Sequence, residues 1–375
     1  MRYKIPFSIP WLDQKHTLHS HSHFAFTGWI SQALMTLVFA MINGNEKKIS
    51  QKHSQLLWLN IISAYGMLVS FIVQGYGVVS IAFSTLAIIV SALFLIMLVR
   101  DIQFKKSASY IAILFAAILN VISSLGPFSL AYLMANNISD QHAYLGSLYF
   151  FLHFQYNGWF FLASLGLLSH LLSPIIQDEK SLRKIILLFA IASLPAFLLS
   201  ILWLDLAWYW MALACIAVAL QLWAATILFK LIIQHKKQIV SKLNSTARLL
   251  LFLSLFAFGI KILLQSISLI PAVGDITYGF RPIVIGYLHL VLLGIITLFI
   301  LGYAMGKEVI PITTTVQRGV TIFVCGIILN EFLLLVQGVS SMQYYSVPYI
   351  NYALLFAALT MLTGTVVMQR KKFEV

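Results

Sequence analysis

Three histidines sit in closely similar surroundings and are the residues best suited to chemistry. The stretches are His23-Phe24-Ala25-Phe26-Thr27-Gly28-Trp29, His153-Phe154-Gln155-Tyr156-Asn157-Gly158-Trp159 and His289-Leu290-Val291-Leu292-Leu293-Gly294. Each sets a Gly five residues after the His, inside an apolar run. The first two also share His-Phe, an aromatic, a small polar residue and Gly-Trp. An imidazole in hydrocarbon is costly unless paired and is a functional candidate there. It is also the usual ligand for haem iron and for copper. Phe24, Phe26, Phe154, Tyr156 and Trp159 could line a porphyrin, and the glycines would admit a neighbouring helix or a flat macrocycle. The plainer reading makes each His an interhelical hydrogen-bond partner and each Gly a packing contact.

Other polar residues extend the set. His16, His19 and His23 fall at i, i+3 and i+7 on one helix face, with His21 pointing elsewhere. They suggest an external copper or zinc site, or a solvated polar cap. Lys261 and Gln265 share a face, and Glu331 follows Asn330, all within apolar segments. Intramembrane Lys and Glu imply a buried ion pair, Lys261 with Glu331, or a proton route. Asn120, Gln74 and Gln221 read as interhelical hydrogen-bond partners. His142 falls at an interface, and His53, His170 and His235 read as solvated beside basic loops. Cys215 and Cys325 lie in apolar runs with no CxxC, which suggests neither a thiolate metal site nor a disulfide framework.

The elements that carry these residues are membrane helices. Of 375 residues, 61% are hydrophobic and 9% charged, against about 25% charged in a soluble domain. Eleven apolar segments fall near 22–43, 55–76, 79–99, 108–135, 142–172, 183–204, 207–233, 247–272, 282–306, 318–339 and 347–369. Each can cross about 30 Å of hydrocarbon as a helix. The fold expected is all-α, one polytopic membrane domain over 1–375, with a polar N-terminal stretch (1–22), a helical bundle (23–369) and a cytoplasmic tail (370–375). The histidine repeats lie 130 and 136 residues apart, about right for four membrane helices with their loops.

Net charge is +13, but the cations sit in alternate loops. Lys47, Lys48 and Lys52 follow the first segment, and Arg100, Lys105 and Lys106 the third. Lys180, Arg183 and Lys184 follow the fifth; Lys236, Lys237, Lys242 and Arg248 the seventh; Lys307 and Arg318 the ninth. Arg370, Lys371 and Lys372 lie in the tail. Intervening loops carry Asp140, Asp205, Asp275 and Arg281. This is the positive-inside pattern rather than a nucleic-acid surface. It places the N-terminus outside and the C-terminus inside a bacterial-type inner (cytoplasmic) membrane. No h-region precedes a small-residue cleavage site, so no cleaved signal peptide is expected. Segments one, five and nine then run from outside to inside, with all three repeat histidines in the outer half of the bilayer.

This pattern resembles subunit I of the haem–copper oxidase superfamily, whose twelve helices form three pseudo-repeated four-helix arcs. If the first helix of that fold is lacking, segments one, five and nine match its second, sixth and tenth. His153-Phe-Gln-Tyr-Asn-Gly-Trp looks like the His-x-x-x-Glu-Gly motif of nitric oxide reductases, with Asn157 where the Glu would be. Tyr287-Leu288-His289 is similar to the tenth-helix His-x-His, with Tyr287 in place of the high-spin haem ligand. The resemblance implies one low-spin haem b held by His289 and by His23, His21 or His19. His153 would face an altered second metal site, and Arg281 would meet propionates or snorkel to the interface. Tyr287 could serve as an axial tyrosinate. The family's adjacent histidines of the seventh helix have no counterpart in 183–204. That argues against copper or non-haem iron and against a complete oxygen- or nitric-oxide-reducing centre. The expectation is a haem-binding relative that relays electrons or binds a diatomic gas, with a separate cytochrome c or cupredoxin as partner. The competing expectations are a proton-coupled transporter or metal-handling permease, and an accessory subunit with vestigial sites.

Overall fold

The computed structural model describes residues 2–44, 49–102, 107–270, 272–274 and 280–369. Lys47, Lys48, Lys105, Lys106, Asp275, Arg370, Lys371 and Lys372 lie outside the described residues, as does the expected tail. The chain is an all-α integral membrane protein, with no strand among the described residues. Ten described helices are long and apolar enough to cross a membrane. They are α1 (Gln14–Ile42), α2 (Gln51–Gln74), α3 (Val78–Ile102), α4 (Ala108–Ala135), α5 (Gln141–Ile176), α7 (Trp208–Gln234), α9 (Ser245–Ile267), α10 (Arg281–Gly306), α11 (Thr314–Met342) and α12 (Ile350–Gln369).

The eleventh expected segment, 183–204, is a broken element. The helix α6 covers Glu179–Ser193 and passes at Pro195 into a 3₁₀ turn, Pro195–Ser200. Proline has no N–H to continue an α-helix, so the tighter winding follows from the sequence. A short helix, α8 (Lys236–Lys242), joins α7 to α9.

Polar side chains set the helix starts. Asp13 accepts from the His16 amide at 2.8 Å, Asp140 from His142 at 2.8 Å, Asp178 from Ser181 at 3.0 Å and Asn244 from Ala247 at 2.8 Å. These side chains satisfy amides that a helix start leaves unpaired. The backbone bond from His16 holds the Asp13 carboxyl below its ordinary range, and the Ser181 hydroxyl and amide do the same for Asp178. So α1 begins at Gln14, and the second half of the polar 1–22 stretch is already helical. Gly75, at φ +60°, ends α2 and lets the chain reverse into α3 within three residues.

Apolar burial does not separate helix contacts from lipid contacts, so close packing and hydrogen bonds must hold the bundle. Where α11 meets α12, a Cβ on Gly319 would lie 2.7 Å from the Met368 backbone nitrogen. The histidine-bearing helices α1, α5 and α10 meet one another at the centre. Their C-terminal halves form the core, with Leu34, Phe39, Trp159, Phe160, Ile296 and Tyr303 fully or almost fully buried.

Candidate functional site

Each repeat histidine marks the same change in backbone winding. His23 is followed by a π-helical run over Phe24–Ser31, His153 by one over Phe154–Phe160, and His289 by one over Leu290–Thr297. π-helix is rare and mostly confined to single turns, often at functional sites. Three runs at equivalent places give the sequence repeat a structural counterpart.

Widening a helix disturbs its carbonyl pairing, and side chains meet the difference. Asn60 of α2 donates to the Thr27 carbonyl at 3.0 Å. Ser254 of α9 donates to the Ile295 carbonyl at 2.8 Å, and Thr297 to Leu292, five residues back, at 2.8 Å. In the middle repeat Gln155 donates to Asn120 and Ser123 of α4 at 2.9 and 2.7 Å. The glycine of each repeat is where the same neighbouring helix comes close. A Cβ on Gly28 would lie 3.2 Å from the Ala64 Cβ, on Gly158 2.9 Å from Leu119, and on Gly294 3.3 Å from Ala257.

The three π runs are also joined to each other. The Trp29 indole donates to the Thr297 hydroxyl at 3.0 Å, linking the first to the third. The Trp159 indole donates to Ser31 at 3.1 Å, linking the second to the first. Tyr156 meets Tyr287 edge-on at 6.2 Å between centroids, and Phe26 meets Phe160 at 5.4 Å. Toward the basic loops, all seven residues of Phe154–Phe160 and the run Leu298–Met305 are buried. On the other side of the histidines, Arg281–His289 has no buried residue, Gln141–Leu152 has none, and Gln14–His23 has only Thr17 and Ser20. The centre is therefore closed on one side of the histidine level and open on the other.

The histidines differ in what they touch. His289 Nδ1 donates to the Ile285 carbonyl at 2.8 Å. In the neutral ring this puts the lone pair on Nε2, the arrangement common for metal-ligating histidines. His23 stacks on Phe71 with centroids 4.4 Å apart, and its Nε2 lies 3.4 Å from the Tyr76 hydroxyl. His19 stands edge-on to Tyr76 at 4.8 Å, and its buried Nε2 has no hydrogen-bond partner. His16 lies against Gly75, so His16, His19 and His23 share the face turned to the α2–α3 junction. His21 is exposed on another face.

His153 is a different case. It is 0% exposed, and its Nε2 donates to the Ser193 carbonyl at 2.8 Å. That carbonyl is available because the 3₁₀ turn redirects the Phe197 amide to Leu194. Its Nδ1 receives the Asn157 amide at 3.2 Å and lies 3.3 Å from the Ser200 hydroxyl. Both ring nitrogens are thus used within the protein, which does not fit the metal-ligand role expected of His153. No group of three His, Cys, Asp or Glu that could hold a metal ion occurs among the described residues. The metal site expected at His19 and His21 is therefore not assembled from such a group.

Lys261 is 4% exposed, with its ammonium 5.5 Å from the centre of the Phe161 ring. It does not pair with Glu331: the ion pair among the described residues is His53–Asp101, at 2.7 Å. Glu331 instead accepts from Asn330 at 3.1 Å. Gln265 Oε1 and Asn157 Oδ1 are buried without hydrogen-bond partners. Arg281 is exposed at the first position of α10, and Tyr287 is half-buried against Tyr156.

The basic loop around His53 predicts a solvated ring, and the structure differs. The ring is buried, stacked on Phe39 at 3.9 Å and bonded to Asp101 of α3. His170 and His235 are half-buried, near Lys307 and bonded to the Leu231 carbonyl respectively. Asn60, Ser254, Ser31 and Thr297 also belong to this centre, and the sequence marks each only as a polar side chain inside an apolar segment. No protein-family model matches the chain, and no curated protein matches it.

Proposed function

We propose that the chain is an integral membrane haem-binding protein, with haem b held between α1 and α10 in the open half of the bundle. The observation that carries this reading is the repeated unit of histidine, π run and glycine, met three times on helices that converge. His289 supplies one axial nitrogen, with Nδ1 anchored on Ile285 so that Nε2 is the coordinating atom. His23 or His19 supplies the other; His19 Nε2 is the buried atom on that face that lacks a partner. When bound, haem supplies one-electron redox chemistry, and a gas site if one axial position stays open. Phe71 and Tyr76 fix the α1 imidazoles, and the closed half beneath excludes water from the basic-loop side. His153 does not fit a second metal, so copper and non-haem iron have no place in this reading. Arg281, exposed at the first position of α10 about two turns before His289, is the residue that would meet propionates, and Tyr287 is the nearest alternative axial group in sequence.

The charge pattern of the described loops supports an orientation with the N-terminus outside a bacterial-type cytoplasmic membrane and the histidines toward that face. Electrons would then arrive from a separate cytochrome c or cupredoxin. The test is the reduced-minus-oxidised spectrum of purified protein. A Soret and an α band are expected, and both should vanish in His289→Ala. A featureless spectrum from protein expressed with ample haem overturns the reading.

A second reading rests on Lys261. A buried ammonium with no counter-ion among the described residues, one turn before the unpartnered Gln265 amide oxygen on the same helix, is the arrangement of a proton or substrate path in a transporter. Proton uptake into proteoliposomes, abolished in Lys261→Met and kept in Lys261→Arg, would favour it.

A further inference from the structure

A crevice of about 250 Å³ lies between α5, α7, α8, α9 and α10, at the end of the bundle that carries the basic loops. Its wall is apolar, built from Leu165, Leu168 and Leu172 of α5, Leu228 of α7 and Phe258 of α9. The charged lining residues are both cations, Lys236 at the start of α8 and Arg248 in the first turn of α9. The Arg248 Nη1 donates to the Val240 carbonyl at 2.9 Å, which holds the guanidinium at the rim. No Asp or Glu occurs within α5, α7, α8, α9 or α10, and Asp178, two residues beyond α5, interacts with His235 and does not line the crevice. Phe252 lines the crevice and is 63% exposed, so the opening faces sideways into the bilayer.

We infer that this crevice binds one anionic phospholipid from the leaflet on the basic-loop side. The phosphate sits at Lys236 and Arg248, and an acyl chain lies along Leu172, Leu168 and Leu165. A sideways apolar opening admits a lipid already dissolved in the bilayer, and a paired cationic rim selects those with net negative charge. Basic pockets between helices on the positively flanked side of a membrane hold anionic headgroups in this way. The inference does not depend on haem binding.

The test uses full-length protein in a neutral detergent, equilibrated with equimolar phosphatidylcholine and phosphatidylglycerol and then washed. Retained lipid is measured by mass spectrometry. Two rim cations predict a preference for phosphatidylglycerol of about tenfold or more. K236Q/R248Q should bring it close to parity, while K237Q/K242Q, exposed cations outside the crevice, should leave it. Leu168→Trp keeps the cations but fills the wall, and should lower retained phosphatidylglycerol. Excess glycerol phosphate should not displace the lipid. Equal retention of both lipids by the wild type overturns the inference. So does a preference that survives K236Q/R248Q, one that falls equally in K237Q/K242Q, retention unchanged in Leu168→Trp, or displacement by glycerol phosphate.

Discussion

The indole–hydroxyl bond between Trp29 and Thr297 joins residues 268 apart in the chain and ties α1 to α10. Thr297→Val keeps the shape of the side chain and removes its hydroxyl. That hydroxyl accepts from Trp29 at 3.0 Å and donates to the Leu292 carbonyl at 2.8 Å, and the residue is 1% exposed. Losing it leaves a donor and an acceptor without this partner, at a cost of about 1–3 kcal/mol. Trp29 is 40% exposed near the middle of α1, where the surroundings are hydrocarbon and offer its N–H no replacement partner, so the cost falls in the upper half of that range. Trp29→Phe removes one bond and should cost about 0.5–1.5 kcal/mol. The double variant should lose less than the sum. The coupling energy expected for an intramembrane hydrogen bond is about 0.6 kcal/mol, with about 1.7 as the upper bound. Reversible unfolding in mixed neutral-detergent and dodecyl sulfate micelles, followed by far-ultraviolet circular dichroism, measures all four corners of the cycle. A coupling within about 0.3 kcal/mol of zero means that the two sites are independent. That result would refute the convergence of α1 and α10, and with it a shared site between them.

Gly158→Ala places a Cβ 2.9 Å from Leu119 Cβ and should destabilise by about 1–3 kcal/mol, whereas Gly294→Ala, at 3.3 Å from Ala257, should cost less. The same unfolding assay ranks them. His153→Leu strips partners from the buried Ser193 carbonyl and Asn157 amide and should cost about 2–4 kcal/mol; the haem spectrum should persist in protein that remains folded. Asp178 is held below the ordinary carboxyl value of 3.8 by Ser181, so its share of stability is full above that value. That share is lost as pH falls through the depressed one. A stability titration below about pH 4 should therefore be flatter in Asp178→Ala than in the wild type.

Much of the architecture was legible because hydrocarbon leaves few choices. Ten of the eleven apolar segments are helices long and apolar enough to span, and the junction between α2 and α3 falls close to the gap between 55–76 and 79–99. The eleventh differs because Pro195 interrupts a segment whose average hydropathy alone reads as continuous. The histidine repeat was visible, but the π runs were not, since local propensity does not encode five-residue winding that neighbours such as Asn60, Ser254 and Thr297 complete. His53 was misread because its sequence neighbours are polar; its partner Asp101 is 48 residues away on α3. Lys261 and Glu331 looked like a pair by rarity, and spacing along the chain says nothing of whether two helices face each other. The open half of the centre was partly legible, because Gln14–His23, Gln141–His153 and Arg281–His289 are each less apolar than the C-terminal half of the same helix.

The most direct measurement is the electron paramagnetic resonance spectrum of the oxidised, purified protein. A low-spin ferric signal typical of two imidazole ligands is expected. It should be lost in His289→Ala and in the double variant His19→Ala/His23→Ala, and kept in His153→Leu. A signal that survives in His289→Ala but disappears in His153→Leu, or no haem signal in any of them, would contradict a haem held between α1 and α10.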